Sequence, residues 1–540
     1  MERLVGTVLA LMLGVGLPGA VHAQDGAASV SVAASPKLRF SQSQMALAHM
    51  VADDPDLAAF YGGNGLMPIF LGAGGAGRRE ALLAVIADMP RHGIPSGRYM
   101  PDRLAANPES LVDEVAYGRQ AARLLRDLSG GVLTPATADP EIKRVPRRPS
   151  VPALLDRFEI AADPAAVLRQ AAPRHPAYLA LQNALSGPAE LTVPSNLPKA
   201  PEAVWRPGMR GEGVIPLRSR LAAIGFRTAF EDPTLFDAAL SSAVADYQRA
   251  AGLPDDGIAG PRTIGMLNGD GASGQDDRQR AILVALERMR WMAGEGLAAR
   301  HVWVNIPEFS TVIVDGGSEV FRTRSVMGRN TSDMRTPEFS EMMSHLVVNP
   351  SWNVPRSITV RDYLPKLQAN RNAVGHLDVL DGSGRVVSRN AIDFSRYTAA
   401  NFPFRLRQKP SGDNALGIVK FIFPNPWNIY LHDTPSKHLF ANRVRAESNG
   451  CIRIGDPVDL ARALLSRQTD DPAAMFQRAM ESGRETWLKL QPPVPVHLVY
   501  FTAWPDASGQ VRFFPDIYGR DARIWQALEV EGVGLSRQGL

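Results

Sequence analysis

One cysteine, Cys451, is all that 540 residues contain. A lone thiol cannot close an internal disulfide, so a bridged framework is excluded. What remains is a buried apolar filler, an accident, or a reactive group. A large charge excess is also missing. The 59 basic and 55 acidic side chains leave a net charge of +4. That imbalance is too small to mark a nucleic-acid partner, though it suits approach to an anionic polymer. Beyond the N-terminus no apolar run reads as a membrane span. With 45% hydrophobic and 21% charged residues, the composition is that of an ordinary globular chain long enough for two to four domains.

What is there begins with Met-Glu-Arg and an apolar stretch, Leu4 to Leu17, then Pro18 and the small-residue exit Val21-His22-Ala23. This pattern reads as a secretory signal over 1–23, cleaved before Gln24. A retained inner-membrane anchor is the alternative. Fourteen residues at helical rise span about 21 Å, against the roughly 30 Å of a bilayer core, so cleavage is favoured and a periplasmic location expected. Residues 24–44 are a flexible lead-in rich in Ala, Ser and Gly. From 45 to 200 the pattern is helical and rich in Ala and Leu, as over Arg79–Met89 and Ala116–Leu128. Proline interrupts it often, and it concentrates no chemistry.

Residues 204–268 form a compact unit. Val214–Ile224 and Asp237–Ala251 carry apolar groups at helical spacing, with Leu240, Val244 and Tyr247 on one stripe. A turn, Asp256-Gly257-Ile258-Ala259-Gly260, leads to a short helix closing at Leu267-Asn268. Residues 276–294 read as an amphipathic linker helix. From 301 the period changes to that of strands: His301–Ile306, Ser310–Asp315, a Gly316-Gly317 turn and Val320–Val326, then Leu346–Asn349, Gly417–Phe423, Asn428–His432, Val496–Thr502 and Val511–Phe514. Short strands punctuated by Gly and Pro predict a mainly β domain over 301–531, with an irregular polar insertion at about 356–408 and a tail, 532–540.

The chemistry concentrates in Tyr430-Leu431-His432-Asp433-Thr434 and Ser448-Asn449-Gly450-Cys451-Ile452-Arg453. A cysteine acting on an amide works as a thiolate and needs a base or cation nearby. Histidine is the usual base near neutral pH. A strand carrying His432 and a loop returning to Cys451, 19 residues on, would set the two side by side. Gly450 removes bulk before the nucleophile and lets backbone N–H groups converge as an oxyanion hole. Arg453 shares the face of Cys451 if Cys451–Ile454 is extended. A buried cysteine and a hydrogen-bonded core histidine are the structural alternatives, and spacing alone does not choose between them.

The full pattern, His432 followed by Ser448-x-Gly450-Cys451-x-Arg453, resembles the signature of the L,D-transpeptidase catalytic domain. Asn349-Pro350-Ser351-Trp352-Asn353-Val354-Pro355, Asn414-Ala415-Leu416-Gly417 with Lys420-Phe421, and His432-Asp433-Thr434-Pro435 are similar to the large periplasmic subgroup. So are Pro495-Val496, Tyr500-Phe501-Thr502-Ala503-Trp504 and Asp516-Ile517-Tyr518-Gly519-Arg520-Asp521. The unit at 204–268, with its Tyr-Gln pair and Asp-Gly-Ile-Ala-Gly turn, resembles a three-helix peptidoglycan-binding module; that it only rigidifies the enzyme is the alternative. The fold so implied is multidomain α+β, with a helical N-terminal scaffold domain, the binding module, and a β catalytic domain with a capping insertion. One departure stands out: the wider family often has His where Asn449 stands, and Asn does not titrate.

The resemblance implies a tetrapeptide stem of peptidoglycan as donor. Cys451 would attack the third residue's carbonyl and expel D-alanine, and an amine of a second stem would resolve the thioester into a 3→3 cross-link. His432 would be the base, and Gly450 and Cys451 N–H groups the oxyanion donors. Ser448 and Arg453 would order the loop, Tyr430 would line the pocket or serve the core, and Trp352 and Trp427 would wall the site or pack. Carbapenems would acylate the same thiol. Stem peptides, glycan and cell-wall synthases are the partners implied, with no cofactor and no metal. His432 and His438 lack a third ligand and helical i, i+4 spacing. A cysteine peptidase (an amidohydrolase on wall peptides) or L,D-carboxypeptidase, in which water resolves the same thioester, would use identical residues; a non-catalytic wall-binding scaffold is the non-enzymatic alternative.

Overall fold

The computed structural model describes residues 40–535, except 105–106, 187–192, 195, 252, 254 and 269–271. The expected signal segment, the lead-in up to 39 and the end of the tail lie outside the described residues. The first helix, Gln42–Val51, starts earlier than the residue 45 expected, because Ser41 and Gln44 close a capping box on it. The same device, Ser110 with Asp113, opens the long helix Leu111–Gly130, which buries Leu124, Leu125 and Leu128. Ala76–Asp88, Val151–Ile160 and Pro176–Ser186 pack around it to complete an apolar core.

That core reaches beyond the helical half of the chain. The hairpin of Ala503–Pro505 and Val511–Phe513 docks into it, as does Trp303, stacked on Phe501 at 5.6 Å and tilted against Trp504 at 4.8 Å. The C-terminal helix Arg520–Val530 packs on the linker helix Ala272–Trp291 through Ile524, Trp525 and Leu528.

In the binding-like module the helices Val214–Ala223, Ala238–Ala250 and Pro261–Leu267 enclose Leu217, Leu221, Leu240, Val244, Tyr247 and Ile264. Gln248 explains the Tyr-Gln signal. It is buried, and its side-chain amide donates to Asp256 Oδ1, Ile258 O and Thr263 Oγ1 while accepting from Gly257 N–H. One glutamine thereby ties Asp256, Gly257 and Ile258 of the turn to Thr263 of the closing helix.

The β half is a ring. Strand Ser318–Gly328 pairs with Ile452–Ile454, then Leu431–His432, Val419–Ile422, Phe339–Val348, Thr486–Val499, His301–Asn305 and Ser310–Asp315 follow in order. Ser310–Asp315 pairs back onto Ser318–Gly328 through the Gly316-Gly317 turn, where both residues have φ > 0 (59° and 79°), as a two-residue hairpin of this hand requires. The short strand Ala446–Ser448 adds to the outer edge of Ser318–Gly328. Val304, Met343, Leu346, Phe421, Leu431 and Ile452 fill the interior, and the helices Pro457–Leu465 and Pro472–Glu481 cover it. Among the described residues no helix is long and apolar enough to cross a membrane.

The capping insertion is wider than 356–408. Asn349 N–H donates to Ile418 O at its neck, and between those residues lies a body with its own core. Three strands, Trp352–Asn353, Arg405–Gln408 and Leu377–Leu380, hold it together. Trp352 pairs with Gln408, so the two edges of the insertion are each other's partners. Pairing between segments some fifty residues apart leaves no local period to read.

Candidate active site

Strand alternation decides which side chains meet. Phe421, Leu431 and Ile452 point into the ring. Lys420, His432 and Arg453 take the opposite face, with His432 registered to Lys420 on one side and to Arg453 on the other. Cys451 lies just before the strand Ile452–Ile454, whose first N–H donates to Tyr430 O. Two residues before Arg453, it shares that face and stands across from Tyr430. Strand spacings put its Cα about 8 Å from that of His432.

The half-buried Cys451 thiol donates to Asn428 O at 3.6 Å. Burial pushes its pKa up; opposing that, Tyr430 donates to the sulfur from its backbone N–H and its hydroxyl, and Lys420 and Arg453 add positive potential. Burial and the adjacent sulfur hold the Tyr430 hydroxyl well above the usual phenol range, so it stays a donor. Lys420 Nζ sits 3.8 Å from the centroid of the Tyr430 ring, and burial lowers its pKa.

His432 is buried. Its Nδ1 faces Asp433 O at 2.5 Å; with Nδ1–H donating there, Nε2 is left as the lone-pair nitrogen. Burial first, then the Arg453 guanidinium, takes its pKa down to about 3. The ring meets Tyr430 edge-on at 5.6 Å. No hydrogen bond joins His432 to Cys451; Tyr430 is in contact with each of them. At rest the pair is therefore thiol and neutral imidazole, which differs from the ready thiolate expected from the sequence. Desolvation of both groups is the reason.

The loop carrying Cys451 is tied from within. Ser448 Oγ donates to Cys451 O at 2.5 Å and accepts the Gly450 N–H at 3.1 Å. The Gly450 N–H is thus engaged and is not an oxyanion donor, a correction to the expectation. The Cys451 N–H has no partner among the described residues and is the free donor beside the thiol. Gly450 needs to be glycine: its φ is +109°. Asn449 Oδ1 accepts from Arg361 of the capping body at 3.2 Å. That guanidinium also pairs with Asp333 and Asp362, so the cap touches the loop beside Cys451.

Arg453 lines a cleft of about 630 Å³ between the capping body and Thr434-Pro435-Ser436. Among the described residues its side chain has no ion-pair or hydrogen-bond partner, and its Nε is buried and unsatisfied. Trp352 lines the same cleft, and its indole N–H donates to the Tyr430 hydroxyl. Trp427 does not join the site: its ring rests on Phe339 at 4.7 Å, in the apolar packing of the ring. Sequence reasoning gave no role to Lys420, whose signal was a lysine on an otherwise apolar strand, Val-Lys-Phe-Ile. Arg361 was missed as well, and nothing local marks it. Among the described residues no group of three His, Cys, Asp or Glu could hold a metal ion.

Three family models match this chain. They are the L,D-transpeptidase catalytic domain over 299–481, a scaffold domain over 55–185, and a family described as "Putative peptidoglycan binding domain" over 210–267. A Haemophilus influenzae protein named "Putative L,D-transpeptidase" is 36% identical over 225 residues, 41% of this chain and 45% of that protein. The match therefore spans less than half of that relative. Among solved structures, an L,D-transpeptidase from Xylanimonas cellulosilytica is 16% identical over 56% of this chain and 100% of its own, with a TM-score of 0.16. One from Stackebrandtia nassauensis is 13% identical over 55% and 96%, with a TM-score of 0.19. At those scores neither structure carries an argument.

Proposed function

We propose, for a chain of the large L,D-transpeptidase type with its catalytic, scaffold and peptidoglycan-binding domains, that Cys451 forms 3→3 cross-links in peptidoglycan. The donor is a tetrapeptide stem held in the cleft beside Arg453. Cys451 Sγ bonds to the carbonyl carbon of the third residue as its proton passes to His432 Nε2. The Cys451 N–H receives the developing oxyanion. Collapse breaks the bond to D-alanine, whose amine leaves with the proton from His432, and a thioester remains. The side-chain amine of a second stem attacks that thioester, gives its proton to His432, and the thiol is restored.

The observation that carries this reading is the set around one sulfur. Two donors from Tyr430 and two cations face the thiol, His432 keeps a free Nε2 on the same face, and an unpaired guanidinium opens on the cleft. A wall-binding scaffold would have no use for an unsatisfied arginine beside a thiol. The reaction takes place outside the cytoplasm, in the periplasm, on the reading of 1–23 as an export signal, and carbapenems acylate Cys451.

The test is incubation with disaccharide tetrapeptide and mass spectrometry of the products. A dimer less one D-alanine is expected, and Cys451→Ser should form none. Disaccharide tripeptide as the sole product would mean that water resolves the thioester, making the protein a carboxypeptidase. No turnover, with no carbapenem adduct on the intact chain, would sink the reading.

A further inference from the structure

A buried chain of contacts runs from the scaffold domain to the nucleophile loop, and the reaction as drawn does not use it. Its near end is Thr336, fully buried. The Thr336 hydroxyl donates to Gly450 O at 2.8 Å and accepts the Gly328 N–H at 3.0 Å. Gly328 is close-packed there: a Cβ on it would lie 1.9 Å from Met334 O. Thr336 is held in turn by Arg520, which donates from Nη2 to Thr336 O at 2.8 Å and to Glu141 Oε2 at 2.7 Å. Arg520 is fully buried, and Nη1 reaches Glu338 Oε1 at 3.3 Å.

The far end belongs to the scaffold. Glu141 lies within the matched scaffold domain, and its segment pairs with the catalytic domain as backbone: Lys143 N–H donates to Glu338 O at 2.8 Å and Glu338 N–H to Glu141 O at 3.1 Å. Glu338 is also bound by Arg288 of the linker helix. A buried guanidinium needs its carboxylates, so Arg520 cannot hold Thr336 without Glu141 and Glu338. Two domains thus supply the partners of one arginine.

The consequence follows from the planar peptide. Gly450 C=O and Cys451 N–H belong to one amide plane and point in opposite directions. Whatever fixes the carbonyl aims the N–H. We propose that the relay Glu141–Arg520–Thr336 aims the Cys451 N–H at the oxyanion, so that Thr336, Arg520 and the scaffold's Glu141 are positioning residues for acyl transfer. This rests on Cys451 as the nucleophile.

The experiment uses the full chain and two reagents that both end on Cys451. Acetylation by 4-nitrophenyl acetate passes through a tetrahedral oxyanion; alkylation by iodoacetamide does not. Intact mass reports either one cleanly because the chain has one cysteine. Thr336→Val should slow acetylation about 10- to 100-fold and leave alkylation within about twofold, with Thr336→Ser restoring the rate. Glu141→Gln, which removes a charge at a partly exposed position, should slow acetylation in the same sense. Wild-type acetylation in Thr336→Val or in Glu141→Gln overturns the proposal. So does a parallel fall of both reactions that Thr336→Ser does not rescue. Because neither reagent is a wall peptide, the relay can stand even if stem peptides are not turned over, and that failure would then belong to the proposed function alone.

Discussion

Replacing Tyr430 with phenylalanine removes one hydroxyl and should move the titration of the only thiol. The hydroxyl donates to Cys451 Sγ and favours the ionised sulfur, while burial works against it. A hydrogen bond to a charged group contributes about 1.5–3 kcal/mol, which at 1.36 kcal/mol per unit is about one to two pKa units. In the wild type the thiol already titrates above an ordinary cysteine, so it rests mainly as thiol near neutral pH. Tyr430→Phe should lower the thiolate fraction a further 10- to 100-fold. The assay is the rate of carbamidomethylation between pH 6 and 10, followed by intact mass. The wild-type midpoint should lie above that of an ordinary cysteine and the variant's higher still. A variant that alkylates like wild type across the range would refute the assignment of the hydroxyl. A wild-type midpoint below pH 7 would refute the neutral resting pair.

Lys420→Met removes the cation above the Tyr430 ring, one of the groups that lower the thiol's pKa; acyl-enzyme formation at pH 7 should fall about 10-fold, read from the rate of a carbapenem adduct. His432 titrates at about 3 when folded against 6.5 when unfolded, so between those values the unfolded chain binds the extra proton. Stability from this group is therefore present above pH 6.5 and lost as pH falls toward 3, by about 3 kcal/mol between pH 7 and 4. The urea midpoint of His432→Asn should show a shallower acid slope than wild type, and equal slopes would remove the buried imidazole from the account. Trp427→Leu should lose about 2 kcal/mol of stability with turnover per folded molecule within about twofold, since its ring packs on Phe339; a fall in kcat with an unchanged Tm would return it to the substrate.

How much of this was legible in the sequence depended on range. Helices with their own caps, such as Leu111–Gly130, and strands with turn signals, such as Ser310–Asp315 before Gly316-Gly317, were readable because the cause lies within a few residues. The strand Thr486–Val499 was seen only in its last residues, since prolines at 492, 493 and 495 hid a segment whose register shifts between Lys489 and Val494. At the site, His432, Cys451 and Arg453 were readable as residue types, and the parallel pairing that puts them on one face was not. The residue that donates to the thiol, Tyr430, could be read only as lining or core. Gly450 was read as an oxyanion donor because the sequence cannot show that Ser448, two residues earlier, takes its N–H.

A neutral thiol beside a neutral imidazole is compatible with the proposed chemistry for a physical reason. In a desolvated pocket a standing thiolate–imidazolium pair must be stabilised before substrate arrives, and its charges face two more cations in Lys420 and Arg453. Positive neighbours favour the thiolate and oppose the imidazolium, so the same groups split the pair. Substrate changes that balance. A carboxylate seated against Arg453, which now lacks one, would relieve the repulsion on His432 and let the imidazole accept a proton as sulfur attacks. The thiol is then activated by the occupant of the cleft and reacts more slowly without it. That order protects an accessible cysteine from oxidation, because the thiolate is the species oxidants attack. It also ties reactivity to the charge of the donor: a stem analogue with its carboxylates amidated should acylate Cys451 more slowly than the acid, and Arg453→Gln should erase the difference. Equal rates for acid and amide in the wild type would mean that the guanidinium does not read the donor, and the link between Arg453 and His432 would have to be abandoned.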